Sequence, residues 1–358
     1  MTTSDGDILL QADGIDIGYG RVTVIHGASL SVKRGQIIAI IGPNGAGKTT
    51  LLSGLMGLLP VKGRLSYFGE TMSEQPSVEQ LVGRGVTLIF TLSGGSAFGL
   101  DSGGGVQAWL AAQGRGFAIG NATIPIVPGA VVFDMLNGGD KNWGRFSPYR
   151  DLGYAAAADA SDDFALGSVG AGLGATTANY KGGLGSASAT TPSGVTVGAI
   201  AVVNAIGSAV IGDGPWFWSA PFEQGDEFGG FGLPAKFGPE HLAVKLKGAA
   251  AASAVENTTL VTVVTDAVLT KTQVKRLAML AQTGFARAIY PVHAPLDGDV
   301  VFAAATGVKP VEPLAGLTEL GAIAANTVAR AIARGVYEAT RLPFKDAQPA
   351  WRDRFARS

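Results

Sequence analysis

The chain contains no cysteine. That excludes disulfides, thiol nucleophiles and thiolate metal sites, although it leaves the compartment open. Histidines number only 3 among 358 residues. No His/Asp/Glu cluster has metal-ligand spacing, so no metal site is expected. Charge is scarce as well: Asp, Glu, Lys and Arg make up 15% of the chain, and the net charge is −1. A balance so near zero gives no electrostatic basis for binding nucleic acid or an anionic membrane. The most apolar run, Val195–Gly212, only reaches the lower length limit of a membrane span. Its β-branched residues, Gly198, Gly207 and the central Asn204 read as buried strand, turn and strand, so no integral membrane segment is expected. The N-terminal MTTSDGDILLQ carries Asp5 and Asp7. It has no basic stretch followed by an apolar one, so a cytoplasmic location is expected rather than export. What the chain has in plenty is hydrophobic residues, at 47%, and glycine, at 53 residues. These supply core material, tight turns and close backbone contacts.

Two stretches carry motifs. The first is GPNGAGKTT, Gly42–Thr50. Glycines at Gly42, Gly45 and Gly47, with Asn44 between, let backbone N–H groups turn inward around phosphates. GPNGAGKTTLLSGLMGLL runs from loop into helix, and the helix N-terminus adds partial positive charge. Lys48 would reach the β/γ-phosphates and Thr49 would ligate Mg²⁺, with Thr50 beside it. Strand-like ILLQADGIDIGYG and IHGASLSVKRGQIIAIIG precede the loop. Residues 8–86 resemble the opening of an ABC-transporter ATPase, of the branched-chain amino acid importer type. The resemblance implies that Tyr19 stacks on adenine and that ATP and Mg²⁺ are possible ligands. It then breaks off. Leu92-Ser93-Gly94-Gly95 looks like the family's signature motif but comes too soon after Thr49. The apolar runs VVFD and VVTD end in Asp134 and Asp266 without the glutamate that should follow. ATP hydrolysis needs a held metal and a polarised water, so no ATPase activity is expected and the loop reads as vestigial.

The second set of stretches is LSGGSAFGLD, IPIVPGAVVFDM, GSVGAGLGATTANYKGGLGSAS, VTVGAIAVVNAIG, ENTTLVTVVTDA and ARAIYPVHAPLDGDVVFAAATG. In this order they resemble the self-processing aminopeptidases, the group that includes D-aminopeptidases, β-peptidyl aminopeptidases and nylon-oligomer hydrolases. Leu92–Asp101 then belongs to the hydrolase. The resemblance implies an αββα layered sandwich and no cofactor for hydrolysis. It also implies small peptide or amide substrates and a homo-oligomer of processed subunits.

The chemistry can be argued from the residues. Threonine is a poor nucleophile unless a base lies beside it, and an N-terminal threonine carries its own in the free α-amine. That amine titrates near 7.7–8.0 in model peptides, about where physiological pH lies. The resemblance implies cleavage between Asn257 and Thr258, with Thr258 as nucleophile. On the residues alone, Asn-Thr-Thr could simply enter a strand. By the same resemblance Lys181 would tune the new amine and Asn204 would donate to an oxyanion. A buried asparagine satisfied within a turn is the alternative for Asn204. Asp297 and Asp299 would orient the Thr258 hydroxyl and amine, or they form an ordinary Asp-Gly turn. His293 reads as packing. Phe98 stands where some relatives carry tyrosine, so any hydroxyl contribution there is lost.

The expected organisation is therefore an ATPase-like segment over 1–86, a hydrolase over 87–341 and a polar surface tail over 342–358. Each fold is incomplete, as in a fusion. An alternative is an ATP-binding module carrying an inert hydrolase-like half.

Overall fold

The computed structural model describes residues 8–19, 22–33, 47–55, 59–67, 70–71, 89–119, 122–248, 257–295 and 297–355. The chain forms two compact units. One comprises residues 1–89 and 107–128, the other 90–106 and 129–358.

In the first unit, β1 (Ile8–Tyr19) and β2 (Val22–Lys33) pair as antiparallel strands. The helix α1 (Lys48–Leu55) follows, then β3 (Val61–Tyr67) and β4 (Glu70–Thr71). The sheet order is β2-β1-β3-β4. Ile15 and Ile17, two apart and so on one face of β1, pack with Ala12, Leu65 and Leu55 of α1. Gly54 permits this approach, because a Cβ there would lie 2.2 Å from Ile17 Cδ1.

The second unit opens with β5 (Thr91–Ser93). The helix α2 (Asp101–Ala112) starts in this unit, and its later turns belong to the first. The hairpin strands β6 (Phe117–Ile119) and β7 (Ala122–Ile124) also belong to the first unit. Then β8 (Gly129–Val131) pairs in parallel with β5, and α3 (Tyr149–Ala158) packs on the first turns of α2. The principal sheet is built from β9 (Leu184–Thr190), β10 (Thr196–Val202), β11 (Leu260–Ala267) and β12 (Val300–Lys309). Between its last two strands comes α4 (Lys271–Gln282), and after them α5 (Ala315–Tyr337).

The order of that sheet is β12-β11-β10-β9, antiparallel except for the parallel β11–β12 pair. Val197, Ala199 and Ala201 of β10 and Val261 and Val263 of β11 face α4 and α5. The helix α5 answers with Leu320, Ala324, Val328, Ile332 and Val336, a stripe at helical spacing. The other side of the sheet holds Val202 and Leu260 against Val132, with Leu92 and Ala130 of the β5–β8 pair beside them. Helices, sheet and second strand layer follow the expected αββα class, and the second layer is the short β5–β8 pair among the described residues. The abundance of glycine has a local reason here: a Cβ on Gly185 would stand 1.9 Å from the Ala331 carbonyl of α5.

Two expectations meet the structure directly. Val195–Gly212 is strand β10 followed by a turn with bridges at Ser208 and Val210, and no helix among the described residues is long and apolar enough to cross a membrane. The segment after α5 is not the surface tail its polar composition suggests. Ala350 and Trp351 are each 1% exposed. The Trp351 ring packs against Phe217, Phe231, Tyr337 and Phe355, and the Pro349 carbonyl accepts from Lys181 N at 2.8 Å. One large indole outweighs the charged residues around it, because those can reach solvent while the ring is buried.

Candidate active site

The site lies where the ends of β10, β11 and β12 meet. Thr258 stands two residues before β11. Its N–H donates to the Asn204 carbonyl at 3.0 Å, just past the end of β10. On the other side, Asn257 bridges to Asp297 in parallel, and Val300 N donates to the Thr259 carbonyl at 3.2 Å. Asn257–Thr259 is thus held on both edges as a continuation of the sheet.

The Asn257–Thr258 peptide is the centre of this arrangement. Thr258 Oγ1 donates to the Asn257 carbonyl oxygen at 2.5 Å. The backbone N–H of Gly298 donates to the same oxygen at 2.8 Å. A Cβ on Gly298 would lie 2.8 Å from Thr258 Oγ1, so glycine is what lets this backbone come so close to the hydroxyl.

The two aspartates differ in their commitments. Asp299 accepts from Thr259 N at 2.7 Å through Oδ1, and its Oδ2 meets His293 Nδ1 at 3.0 Å. Asp297 Oδ2 accepts from Ala294 N at 3.1 Å, the Ile206 backbone N–H also favours its carboxylate, and its buried Oδ1 makes no hydrogen bond of regular geometry among the described residues. Burial, and then the neighbouring Asp299 charge, push the Asp297 carboxyl up to about 6. Burial raises Asp299 too, against the pull of the Thr259 N–H and His293. His293 does more than pack. Its ring lies on Phe285 at 5.3 Å between centroids, and the same ring holds Asp299.

Asn204 is fully buried. Its amide donates to the Phe133 carbonyl at 2.9 Å, and its oxygen accepts from Thr176 N at 3.1 Å and from Lys247 Nζ at 2.8 Å. The Asn257 carbonyl accepts from the Gly298 N–H and from Thr258 Oγ1, whereas the Asn204 amide donates to Phe133. Lys181, 1% exposed, donates through Nζ to the carbonyls of Gly172, Ala175 and Gly182. Three donors meet three acceptors, and none of these contacts is with Thr258. Burial and the nearby Lys247 ammonium bring Lys181 down to about 7, with Asp134 opposing. Burial brings Lys247 down to about 8, against the attraction of Asp134 and Asp297. Lys247, Asp134 and Gly298 are site residues that sequence reasoning missed.

Phe98 is 54% exposed and edges onto Trp143 at 5.5 Å. The Gly94–Gly95 turn closes on this unit: Gly95 N donates to Asp134 Oδ1 at 2.7 Å, and Ser96 N to the Val132 carbonyl at 3.1 Å. That turn is part of the hydrolase, as its sequence context implies.

Of the nucleotide loop, Gly42, Asn44 and Gly45 lie outside the described residues. Gly47 has φ +81 and α1 begins at Lys48, with Leu51 N donating to the Gly47 carbonyl at 2.8 Å. Tyr19 ends β1, and the side chains of Tyr19, Lys48 and Thr49 are outside what is described. Thr50 is buried. Among the described residues no group of acidic or histidine side chains could hold a metal.

Against this geometry, the model of peptidase family S58 matches residues 73–349. The chain belongs to peptidase family S58. An uncharacterised aminopeptidase of Mycobacterium tuberculosis is 42% identical over 278 residues, 74% of this chain and 77% of that one. The solved Burkholderia β-aminopeptidase is 24% identical, with a TM-score of 0.46 over 70% of this chain and 68% of that chain. Residues 25–94 match the ABC transporter model. In that region the Nod factor export ATP-binding protein I of Ralstonia nicotianae is 48% identical over 65 residues, 18% of this chain and 20% of that protein. As a member of S58 the chain is an aminopeptidase, a hydrolase of peptide bonds, preceded by an ABC ATPase-like segment.

Proposed function

We propose that this S58 aminopeptidase processes itself between Asn257 and Thr258, and then works with Thr258 as its N-terminal nucleophile on small peptides or amino-acid amides. The observation that carries the reading is the Asn257 carbonyl, gripped by the Gly298 N–H at 2.8 Å and faced by Thr258 Oγ1 at 2.5 Å.

The steps follow from that geometry. Thr258 Oγ attacks the Asn257 carbonyl carbon, and charge on the oxygen is stabilised by the Gly298 donor. The C–N bond breaks, the nitrogen takes the hydroxyl proton, and an ester joins Asn257 to Thr258. Water cleaves the ester and leaves a carboxylate on Asn257. The freed α-amine is then the base for the hydroxyl beside it. In turnover the hydroxyl attacks the substrate carbonyl and the leaving amine takes the proton. Water releases the acyl group. Asp297, its carboxyl pushed up to about 6 in the turn that bridges to Asn257, exchanges protons with the amine in this reading. Asp299 is tied on both oxygens and acts as a clamp on Thr259. Lys181 tunes the amine while it keeps its proton, up to about pH 7, and the second amide hydrogen of Asn204 supplements the oxyanion donor. Every reacting group belongs to the chain or to water.

We assign the nucleotide loop no part in this cycle, and no step is routed through ATP. The test is turnover of an amino-acid p-nitroanilide by wild type, Thr258→Ser and Thr258→Ala. Activity in Thr258→Ser and none in Thr258→Ala supports the assignment. Undiminished turnover by Thr258→Ala refutes it.

A further inference from the structure

A lysine from the segment before the scissile bond reaches into the site. The Lys247 backbone N–H donates to the Ile206 carbonyl at 2.8 Å, which pins the segment beside the Asn204 turn. Its Nζ donates to Asn204 Oδ1 at 2.8 Å and approaches the Thr176 carbonyl at 3.4 Å. The charges of Asp134 and Asp297 both favour an ammonium at this place. Burying an ammonium is costly unless polar groups receive it. Neighbouring Lys245 instead pairs with exposed Asp213 at 2.5 Å. The segment therefore has another cation able to sit at the surface, while Lys247 is drawn inward.

The acceptors that hold Lys247 share one turn region with the nucleophile. Asn204 Oδ1 takes the ammonium, and the Asn204 carbonyl takes the Thr258 N–H. An aminopeptidase must hold a substrate ammonium within reach of its nucleophile. The lysine head group has the charge and the three donors of a peptide α-ammonium.

We propose that Lys247 is an intramolecular stand-in for the substrate's α-ammonium: in the uncleaved chain it fills a cation subsite formed by Asn204 Oδ1 and the Thr176 carbonyl. Its release is timed by the self-processing reading above. Cleavage turns the segment carrying Lys247 into a free chain end, and the ammonium is then withdrawn and replaced by that of a primary-amine substrate. The uncleaved chain is thereby kept from binding amine-terminated ligands before its nucleophile is ready.

The experiment uses the full chain with Thr258→Ala, which cannot self-cleave, and isothermal titration with L-alaninamide and N-acetyl-L-alaninamide. Adding Lys247→Ala is expected to tighten L-alaninamide binding by about tenfold or more, which corresponds to ~1.4 kcal/mol. The acetylated probe, lacking an ammonium, should bind neither chain. Lys247→Met keeps the buried stem and removes only the ammonium, so it serves as the second variant if Lys247→Ala does not fold. Equal L-alaninamide binding with and without Lys247 overturns the proposal, as does equal binding of the acetylated probe. Because Thr258 is absent throughout, a negative result leaves the self-processing reading standing. Failure of wild type to cleave would leave the titration result standing.

Discussion

The backbone N–H of Gly298 donates to the carbonyl oxygen of Asn257 at 2.8 Å, on the oxygen that also accepts from Thr258 Oγ1. A donor fixed there before reaction needs no reorganisation when charge develops. Gly298→Ala keeps the N–H but sets a Cβ 2.8 Å from the hydroxyl, which must rotate away. Self-cleavage is expected to slow by about 10²-fold, the scale of a reacting group displaced by about 1 Å. A time course of fragment appearance on denaturing gels measures this. A wild-type rate in Gly298→Ala would show that the close approach of this backbone to the Thr258 hydroxyl is incidental.

Asp297 titrates near 6, above its ordinary 3.8. Its folded-state value is raised, so the folded chain holds this proton more tightly than the unfolded one. The associated stability is full below about 3.8 and is lost as pH rises through 6. Asp297→Asn removes that loss. Relative to wild type, the variant should gain stability at pH 7.5 and gain little or none at pH 3.5. Denaturant midpoints at the two values decide it, and a difference independent of pH would contradict the assignment. Peptidase turnover should fall in the same variant.

Lys181 moves the other way. Burial and the Lys247 charge bring it from 10.5 to about 7. Between those values the unfolded chain binds more protons, so wild-type stability gains from rising pH. Lys181→Met should lose that gain, and it should also leave three carbonyls without their donor. Unfolding free energies at pH 7 and pH 9.5 are the measurement. A rise as steep in Lys181→Met as in wild type would mean that the charge is not suppressed.

Lys48→Ala should leave turnover of an amino-acid p-nitroanilide unchanged, with and without ATP. Weak nucleotide binding by loop and helix N-terminus is compatible with this. An ATP-dependent rate that disappears in the variant would give the ATPase-like segment a working part.

Local pattern carried the sequence reading furthest. The strands around Val197–Ala201 and Val261–Val263 show in their β-branched content, and α1 shows in the Gly47-Lys48-Thr49 step. Thr258, Asn257 and the Asp297/Asp299 pair are singled out in the sequence by the family resemblance; on the residues alone they read as a strand entry and an Asp-Gly turn. The remaining site residues act through contacts distant in sequence. LAVKLKG gives no sign that Lys245 pairs at the surface while Lys247 meets Asn204. Asp134 ends an apolar run, and nothing near it in sequence announces Lys181, Lys247 or the Gly95 N–H. Gly298 reads as the middle of a turn, since its backbone N–H has no sequence signature. His293 reads as packing in the sequence because nothing there pairs it with Asp299, whose carboxylate it meets at 3.0 Å. In the terminal segment the polar composition masks one indole, Trp351, whose aromatic neighbours Phe217 and Tyr337 are distant or preceding in sequence.

The most direct test of self-processing is the intact mass of the purified wild-type chain beside Thr258→Ala. Wild type is predicted to give two species, residues 1–257 and 258–358, the second beginning with Thr258, while Thr258→Ala gives one full-length mass. A wild-type chain that remains a single full-length species after prolonged incubation would contradict the account.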